Sequence, residues 1–373
     1  MIKYLGSKRV LVPVLGAIAG AVEARSAIDL FTGTTRVAQA FKRRGLHVTA
    51  VDTATYSEVL AQCYIATDAS AIGHQDVLAA LQELQDLPPQ PGYFTQTFCE
   101  DARFFHPKNG ARVDAMRQRI EQRYRGTPLH PILLTALMEA ADRVDSTTGQ
   151  QMAYLKQWAP RALGDLALRP PELLPGPGRA LRGDALTVAP TLPPAGLAYL
   201  DPPYNQHRYF TNYHIWETLV RWDAPATYGV AHKRADARQD HTKSAFNSRR
   251  TMPQALRQVI AAVPAQVVVA SYNDEAWVTP EQMLTWLRDA GHDDARLVAF
   301  DFKRYVGAQI GIFNPAGQKV GRVSHTRNQE YVFVAGPTDQ VEAAVAAALD
   351  AGARPAGPAA GTTASATAAT PAE

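Results

Sequence analysis

A strand, turn, helix and strand in succession near the N-terminus constrain the fold more than any other feature. An apolar stretch at Ala27–Phe31 is followed by the small-residue turn Thr32–Thr35. Apolar residues then recur at helical spacing up to Gly45, a residue type that commonly ends helices. A second apolar stretch begins at about His47 and ends at Asp52. This order predicts the opening of a doubly wound α/β domain.

A mostly helical stretch separates this opening from the remaining strand patterns. Helical spacing is present in four segments, which are Val77–Leu84, Val113–Tyr124, Ile132–Val144 and Met152–Trp158. Strand patterns resume at Leu197–Leu200, Gln266–Ala270, Leu297–Phe302 and Tyr331–Val334. We therefore predict an α/β fold in which residues 1–55 and 181–336 form a doubly wound, Rossmann-like sheet domain. Residues 56–180 are then an inserted, mostly helical module, and residues 337–373 are a disordered tail, rich in Ala, Pro and Thr, with a short helix up to about Asp350.

The net charge of +3 conceals two local concentrations of basic residues. The first lies between Arg103 and Arg125, and the second follows Tyr204 as far as Arg250. Each alone is typical of a solvated surface, but two clusters on either side of one motif favour a nucleic-acid partner, because they can neutralise phosphates. The candidate DNA contacts are Arg103, Lys108, Arg112, Arg208, Lys233 and Arg249. We interpret residues 205–250 as a loop that closes on DNA.

Other classes of protein are disfavoured by what the sequence contains. Its two cysteines, Cys63 and Cys99, lack metal-ligand spacing and cannot form a disulfide framework, so we expect reduced thiols and no metal. No stretch approaches the roughly 18 apolar residues of a membrane span. The N-terminal residues 1–4 contain no apolar secretory segment, so we predict a cytoplasmic protein with no membrane partner.

The motif with the most chemical content is Asp201-Pro202-Pro203-Tyr204, which follows an apolar strand. Open α/β sheets bind ligands at the carboxyl ends of their strands. A carboxylate and a backbone carbonyl can both accept N–H bonds from a ring-conjugated amine, which directs its lone pair towards an electrophilic methyl group. The two prolines stiffen the backbone around the Pro202 carbonyl, and Tyr204 can stack on an extruded base. The motif therefore predicts methyl transfer to a planar, conjugated amine.

Four further features suit a cofactor that contains adenosine. The turn after Asp29, with Phe31 and Gly33, lets backbone approach a ligand closely. Asp52, at the end of the second strand, is placed to bind ribose hydroxyls. Near the N-terminus, the Gly6-Ser7 turn and Lys8 can meet a carboxylate such as that of a methionine group. Asp184, in the Gly183-Asp184 pair, can accept an adenine amino group.

Taken together, these motifs resemble the alpha group of DNA adenine methylases. The order matches: KYLGSK at the N-terminus, DLFTGTT, an acid after the second strand, a recognition region, then GD and DPPY. The segments Tyr93–Arg117 and Asp145–Trp158 also look like that family, and the resemblance covers about residues 1–335. It implies S-adenosylmethionine as the cofactor, a methyltransferase sheet, and target recognition by residues 56–180.

The resemblance also implies a set of site residues. The catalytic set is Asp201, Pro202, Pro203 and Tyr204. The cofactor set is Tyr4, Lys8, Asp29, Phe31, Gly33, Asp52, Asp184 and Asp201. The family turn usually reads FxGxG, and Thr35 replaces its second glycine here, so we expect a slightly different turn, because a β-branched residue rarely takes a positive φ.

The function expected from the resemblance is site-specific methylation of adenine N6 in double-stranded DNA after base flipping, with a cognate restriction endonuclease as a further partner. Alternatives are an amino-methyltransferase that acts on cytosine N4, RNA or a protein glutamine amide, and an inactive DNA-binding derivative of a methylase. An aspartate at position 201 and the KYLGSK segment favour adenine in DNA. The recognition sequence and the oligomeric state do not follow from these motifs.

Overall fold

The structure, a computed structural model, describes residues 2–6, 8–203, 208–239, 242–273, 276–303 and 327–355. Its strands are β1 (Ser26–Asp29), β2 (His47–Asp52), β3 (Arg179–Arg182), β4 (Ala195–Leu200), β5 (Thr227–Tyr228), β6 (Lys233–Arg234), β7 (Ala265–Asn273), β8 (Asp294–Lys303), β9 (Arg327–Gly336) and β10 (Arg354–Pro355).

The α-helices of the described residues flank these strands. They are α1 (Val12–Ala21), α2 (Arg36–Arg43), α3 (Thr55–Ala61), α4 (His74–Gln85), α5 (Tyr93–Thr95), α6 (Pro107–Tyr124), α7 (Leu129–Arg143), α8 (Ala185–Val188), α9 (Tyr209–Asn212), α10 (His214–Arg221), α11 (Met252–Ala262), α12 (Pro280–Asp289) and α13 (Thr338–Asp350).

Eight of the strands form one sheet in the order β10-β8-β9-β7-β4-β1-β2-β3, and β5 pairs with β6 in a separate hairpin. Five neighbouring strands of this sheet are parallel, namely β3, β2, β1, β4 and β7. Strand β9 runs antiparallel to β7, β8 runs antiparallel to β9, and β10 runs antiparallel to β8. From β1 the chain moves outwards through β2 to β3 and then returns to β4 on the other side of β1. The order therefore reverses between β1 and β4, which is the switch point where doubly wound sheets bind ligands.

Alternation along the central strands divides the core into two layers. On β4, Leu197 and Tyr199 pack into one layer, and Ala198 and Leu200 pack into the other. The first layer includes residues of α1, α2 and α13, and the second includes residues of α8, α11 and α12. Because successive side chains of a strand point to opposite faces, a strand buried on both sides reads as a continuous apolar run, as Leu197–Leu200 does.

The predicted doubly wound α/β fold is confirmed, and so are the helices expected near residues 77–84, 113–124 and 132–144, with somewhat wider bounds. The helix predicted at Met152–Trp158 is wrong. This segment is a turn followed by an isolated bridge between Thr147 and Tyr154. Its aromatic rings have separate partners, since Tyr154 packs edge-on against Phe104 and Trp158 lies beside His106. The bounds of the inserted module, residues 56–180, stay a prediction.

The short helix predicted up to about Asp350 is confirmed, but the segment around it is not a disordered tail as far as residue 355. Thr338–Asp350 is a helix, and its buried face of Val341, Ala344 and Ala348 packs in the same layer as α1. Arg354–Pro355 then pairs with β8. Alanine has the highest helix propensity, so an Ala-rich segment with three small apolar residues on one face folds against the sheet. The rest of the predicted tail, residues 356–373, lies outside the described residues.

Within the described part of the chain, every helix is too short or too polar to cross a lipid bilayer.

Candidate active site

Three of the predicted site carboxylates lie together at the carboxyl edge of the parallel strands. Asp29 ends β1, Asp52 ends β2, and Asp201 directly follows β4. Because β1 lies between β2 and β4, all three converge on the switch point. Pro202 is buried and Pro203 lines the cavity in front of Asp201. Tyr204, the last residue of the predicted catalytic set, lies outside the described residues.

Asp201 is held by partners from three separate parts of the chain. Its Oδ1 atom lies 3.0 Å from the ammonium nitrogen of Lys8 and accepts a hydrogen bond of 3.1 Å from the Ser271 hydroxyl. The Tyr199 and Ser271 hydroxyls are themselves 2.7 Å apart. Lys8 also forms an ion pair with Glu330. A lysine from the N-terminal segment therefore bridges two carboxylates, one after β4 and one on β9.

Burial gives two of these carboxyl groups unusual proton affinities. It raises the pKa of Asp201 to about 6; Lys8 opposes this effect and the charge of Glu330 adds to it. Burial likewise raises the pKa of Asp29 to about 7, against the hydrogen bond that the Thr32 hydroxyl donates at 3.0 Å. Asp201 is thus mostly ionised at neutral pH, so it can accept N–H bonds and exchange a proton close to that pH.

The turn after β1 is held against β2 by backbone hydrogen bonds. Asp52 accepts the Gly33 N–H at 2.9 Å and the Ala54 N–H at 3.0 Å. Gly33 has a φ of +49°, and a Cβ atom there would lie 3.1 Å from the Tyr4 ring. Glycine is therefore required by both conformation and space. It brings the turn backbone against an aromatic ring and leaves room for a ligand beside it.

Thr35, where the related turns have glycine, takes a left-handed conformation with a φ of +63°. Its backbone N–H donates to the Thr32 carbonyl at 2.6 Å, and its hydroxyl accepts a 2.9 Å hydrogen bond from the Gln39 amide. The expected departure in backbone geometry is therefore not found at this residue. A left-handed, β-branched residue costs about 1–3 kcal/mol, and these two hydrogen bonds oppose that cost.

Aromatic side chains enclose the site from two directions. The Tyr4 ring stacks on Tyr213, with centroids 4.7 Å apart, and on Tyr209 at 5.2 Å. Across the site, Phe31 meets Phe246 edge to face at 5.0 Å. The two rings predicted to face a cofactor, Tyr4 and Phe31, are therefore each fixed by aromatic residues from the segment after the DPPY motif.

Two cavities, which share Tyr4, Phe31 and Asp201 as lining residues, lie at the site. The outer cavity encloses about 800 Å³ of empty space, which includes the open solvent at its mouth. Its lining includes Tyr4, Phe31, Asp52, Asp184, Asp201, Pro203, Arg208, Phe246 and Asn247. The inner cavity, of about 330 Å³, is lined by Tyr4, Gly6, Lys8, Asp29, Phe31, Thr32, Gly33, Thr34, Arg36, Val37, Tyr199 and Asp201.

Every predicted cofactor residue therefore lines one of the two cavities. Asp184 lies at the start of α8, where its carboxylate accepts the Leu186 N–H at 2.8 Å. This bond caps the helix and shows that the residue has a structural task as well. Among the described residues, no group of three or more His, Cys, Asp or Glu side chains is arranged to hold a metal ion.

The basic residues proposed for DNA divide into two groups. Arg103, Lys108 and Arg112 each donate to backbone carbonyls of their own chain, those of Lys156, Leu163 and Gln85. In the second group, Arg208 is exposed at the outer cavity, Lys233 is half-buried on β6, and Arg249 is exposed two residues after the lining residue Asn247. Arg208 and Arg249 are thus at or next to the outer cavity, Lys233 lies on the β5–β6 hairpin, and the first group lies in the helical segment of the chain.

Several residues of the site had no recognised motif. Ser271 follows the predicted strand 266–270, and the rule that identified Asp201, a polar residue just after an apolar strand, could have found it. The sequence signal in residues 205–250 is their basic charge, and it gives no indication of the roles of Tyr209, Tyr213 and Phe246. Nothing local to Glu330 marks it as a partner of Lys8.

Comparison with known proteins places this geometry among DNA methylases. A family model described as D12 class N6 adenine-specific DNA methyltransferase matches residues 4–285. The type II methyltransferase M.NlaIII of Neisseria lactamica is 29% identical over 287 residues, which cover 74% of this chain and 83% of that protein.

Two longer relatives match a similar part of the chain. The modification methylase StsI of Streptococcus sanguinis is 27% identical over 78% of this chain and 47% of its own length. The type II methyltransferase M.FokI of Planomicrobium okeanokoites is 25% identical over 74% of this chain and 45% of its own length. The chain therefore spans about half the length of these two relatives.

Proposed function

Because the chain belongs to the D12 class of N6 adenine-specific DNA methyltransferases, we propose that it transfers a methyl group from S-adenosylmethionine to the N6 atom of an adenine flipped out of duplex DNA. Membership of this family favours adenine in DNA, rather than cytosine, RNA or protein, as the methylated substrate. The observation that supports the chemistry best is the buried Asp201 carboxylate at the switch point, with Lys8 at 3.0 Å and an open cavity lined by aromatic and acidic residues in front of it.

The residues of the two cavities fit S-adenosylmethionine. Gly33 makes room beside Tyr4, since a Cβ atom at that position would crowd the ring. Asp29 lines the inner cavity with a buried Oδ1 atom that has no hydrogen-bond partner among the described residues. We propose that Asp52 binds the ribose, that Asp184 accepts the adenine amino group, and that Tyr4 and Phe31 face the cofactor. When bound, this cofactor supplies an electrophilic methyl group on a sulfonium.

Asp201 and the Pro202 carbonyl would accept the two N–H bonds of the target amine. With both N–H bonds accepted, the nitrogen lone pair would be directed at the methyl group that the bound cofactor would supply, and this direct transfer would need no metal and no covalent enzyme intermediate. Positioning accounts for most of the acceleration. Asp201, with a pKa of about 6, can take the proton that N6 releases and pass it to solvent. Tyr204 would stack on the flipped base.

Replacement of the central carboxylate tests this function. Asp201→Ala is expected to abolish transfer of labelled methyl groups to unmethylated genomic DNA without loss of folding, because it removes an acceptor and no core side chain. Asp289→Ala is the matched control, since Asp289 is an exposed residue at the end of α12 and pairs with Arg257 of α11. Near-normal turnover in Asp201→Ala would refute the assignment. Modified-base sequencing of DNA from an expressing host would then identify the methylated base and the recognition sequence together.

We propose that DNA binds across the outer cavity and contacts the basic residues Arg103, Lys108, Arg112, Arg208, Lys233 and Arg249. The salt dependence of DNA affinity tests each of them, because loss of one phosphate contact lowers the slope of log K against log salt by about 1. Arg249→Ala should show this loss. Arg112→Ala should show the same loss if the Arg112 guanidinium reaches a phosphate on DNA as well as the Gln85 carbonyl, to which it donates at 2.7 Å. An unchanged slope in both variants would remove these residues from the interface.

The names of the relatives also support a protective role. We propose that methylation by this enzyme blocks a cognate restriction endonuclease, because the chain is similar to type II and modification methylases. Plasmid DNA prepared from an expressing host should resist one endonuclease of a broad panel, and DNA from a host with the Asp201→Ala variant should be cut. Equal cutting of both preparations by every enzyme would count against this role.

A further inference from the structure

Two residues that line the inner cavity each have a buried polar atom that lacks a partner, and the chemistry of the two atoms is complementary. Asp29 Oδ1 is an acceptor, and Arg36 Nε is a donor; neither has a hydrogen-bond partner among the described residues. Both residues line this cavity. Unpaired buried polar atoms are costly, and they commonly mark the place of a ligand or water. A ligand with an ammonium group and a carboxylate would satisfy both.

Arg36 carries a positive charge that its surroundings do not neutralise. It is the first residue of α2 and is partly buried. Burial lowers its pKa, the charge of Arg9 lowers it further, and the carboxylate of Glu139 opposes both effects. No carboxylate in the described part of the chain forms an ion pair with it. A guanidinium beside a second cation and without a close anion favours an anionic ligand.

The charge of Lys8, by contrast, is already opposed by two carboxylates. Its ammonium nitrogen contacts Asp201 and Glu330, and its side chain is only 9% exposed. A third carboxylate placed there would be repelled by the two already present. The same negative surroundings suit a cation, so the end of the inner cavity near Asp29 and Asp201 is better matched to an ammonium or sulfonium group.

We propose that Arg36 binds the methionine carboxylate of S-adenosylmethionine, that Asp29 binds its ammonium group, and that Lys8 serves Asp201 instead of the cofactor. This inference rests on the proposed function, since it divides the roles within the same cofactor site. In this arrangement the carboxylate of the cofactor pairs with Arg36, and its ammonium group pairs with Asp29. It also makes Lys8 a positioning residue for the catalytic carboxylate.

The test compares two ligands that differ in one carboxylate, S-adenosylhomocysteine and its decarboxylated form, S-adenosyl-3-thiopropylamine, by titration calorimetry. The wild-type protein should bind the first about 10- to 100-fold more tightly, the ratio expected for a charge-assisted hydrogen bond of about 1.5–3 kcal/mol. Arg36→Met should reduce this ratio to near 1, and Arg36→Lys should retain part of it. Lys8→Met is the matched control and should keep the ratio.

The outcomes separate this inference from the function on which it rests. If Lys8→Met removes the preference for the carboxylate and Arg36→Met keeps it, the assignment of Arg36 is overturned while cofactor binding stands. If the wild-type protein binds neither ligand, the proposed cofactor itself fails. Binding of 5′-methylthioadenosine, which lacks the amino-acid group, should be equal in wild type and Arg36→Met. Weaker binding there would mean that Arg36 only supports the fold of the site, which would also overturn the proposal.

Discussion

The ion pair between Lys8 and Asp201 should set the pH range in which the enzyme works. Asp201 has to be ionised to accept the N–H bonds of the target amine, and its pKa is already raised to about 6 by burial. Lys8 is 3.0 Å away and stabilises the ionised form, whereas Glu330 on β9 destabilises it by like charge. The variant Lys8→Met keeps most of the volume of the side chain and removes this charge.

The size of the effect follows from the distance. An opposite charge within about 4–6 Å lowers the pKa of a carboxyl group by about 1–3, so without Lys8 the pKa of Asp201 should rise from about 6 to about 8. At pH 7 the ionised fraction of Asp201 then falls from about 90% to about 10%. The methyl-transfer rate at pH 7 should therefore fall about ninefold and recover as the pH approaches 9.

The assay is single-turnover transfer of a labelled methyl group, with saturating cofactor, between pH 5 and 9.5. Saturation keeps any change in cofactor affinity out of the rate. Glu330→Gln is the control of opposite sign, because it removes an anion beside the same carboxylate and should move the acid limb of the profile to lower pH. Both variants alter the same charge cluster, so a nonspecific loss of structure would not shift their profiles in opposite directions.

The reasoning fails if the acid limb of Lys8→Met coincides with that of the wild type, or if the lost activity does not return at high pH. In the first case another group governs the acid limb. In the second case Lys8 has a role in the fold or in substrate binding that its charge effect on Asp201 does not describe. A shift of both variants in the same direction would also contradict the electrostatic explanation.

Three further outcomes follow from the same contacts. Gly33→Ala should lower the free energy of unfolding by about 1–2 kcal/mol and weaken binding of S-adenosylhomocysteine, because of the positive φ and the contact with Tyr4; unchanged affinity would count against the turn as a cofactor contact. Because the pKa of Asp29 is higher in the folded protein, about 7, than in the unfolded chain, wild-type stability should fall as pH rises from about 4 to 7, and urea unfolding of Asp29→Asn should show a flatter dependence. Arg234→Met breaks a bidentate ion pair with Asp223, with both contacts at 2.7 Å, so it should cost about 2–4 kcal/mol and speed amide exchange in the β5–β6 hairpin; slow exchange there would mean that the pair does not hold the hairpin.

The fold could be predicted because its central strands follow a simple rule. Strands buried on both faces appear as unbroken apolar runs, and Leu197–Leu200 and Gln266–Ala270 stand out for that reason. The same kind of reading failed at Met152–Trp158, where tertiary partners of Tyr154 and Trp158 override helical spacing. At α13 the short helix was predicted, but composition did not indicate that this helix packs into the core and is followed by a strand.

The part of the site that could be predicted is the part that strand topology determines. Asp29, Asp52 and Asp201 each follow an apolar strand, and parallel strands end at the same edge of a sheet. Thr35 shows the limit of residue-by-residue rules. A β-branched residue argues against a positive φ, yet the structure has φ +63° there, because the turn is also held by hydrogen bonds to Thr32 and Gln39.

Glu330 could not be predicted from local sequence, but its position has a physical reason in the sheet. The strand β9 runs antiparallel to β7, so its first residues lie at the edge where β7 ends, and Glu330 pairs with Asn273 there. A carboxylate near the start of an antiparallel strand therefore reaches the same edge as carboxylates that follow parallel strands. Once strand direction is known, Glu330 becomes a candidate by the same rule that identified Asp201. Lys8 lies between the two carboxylates and offsets part of the like-charge repulsion through which Glu330 raises the pKa of Asp201.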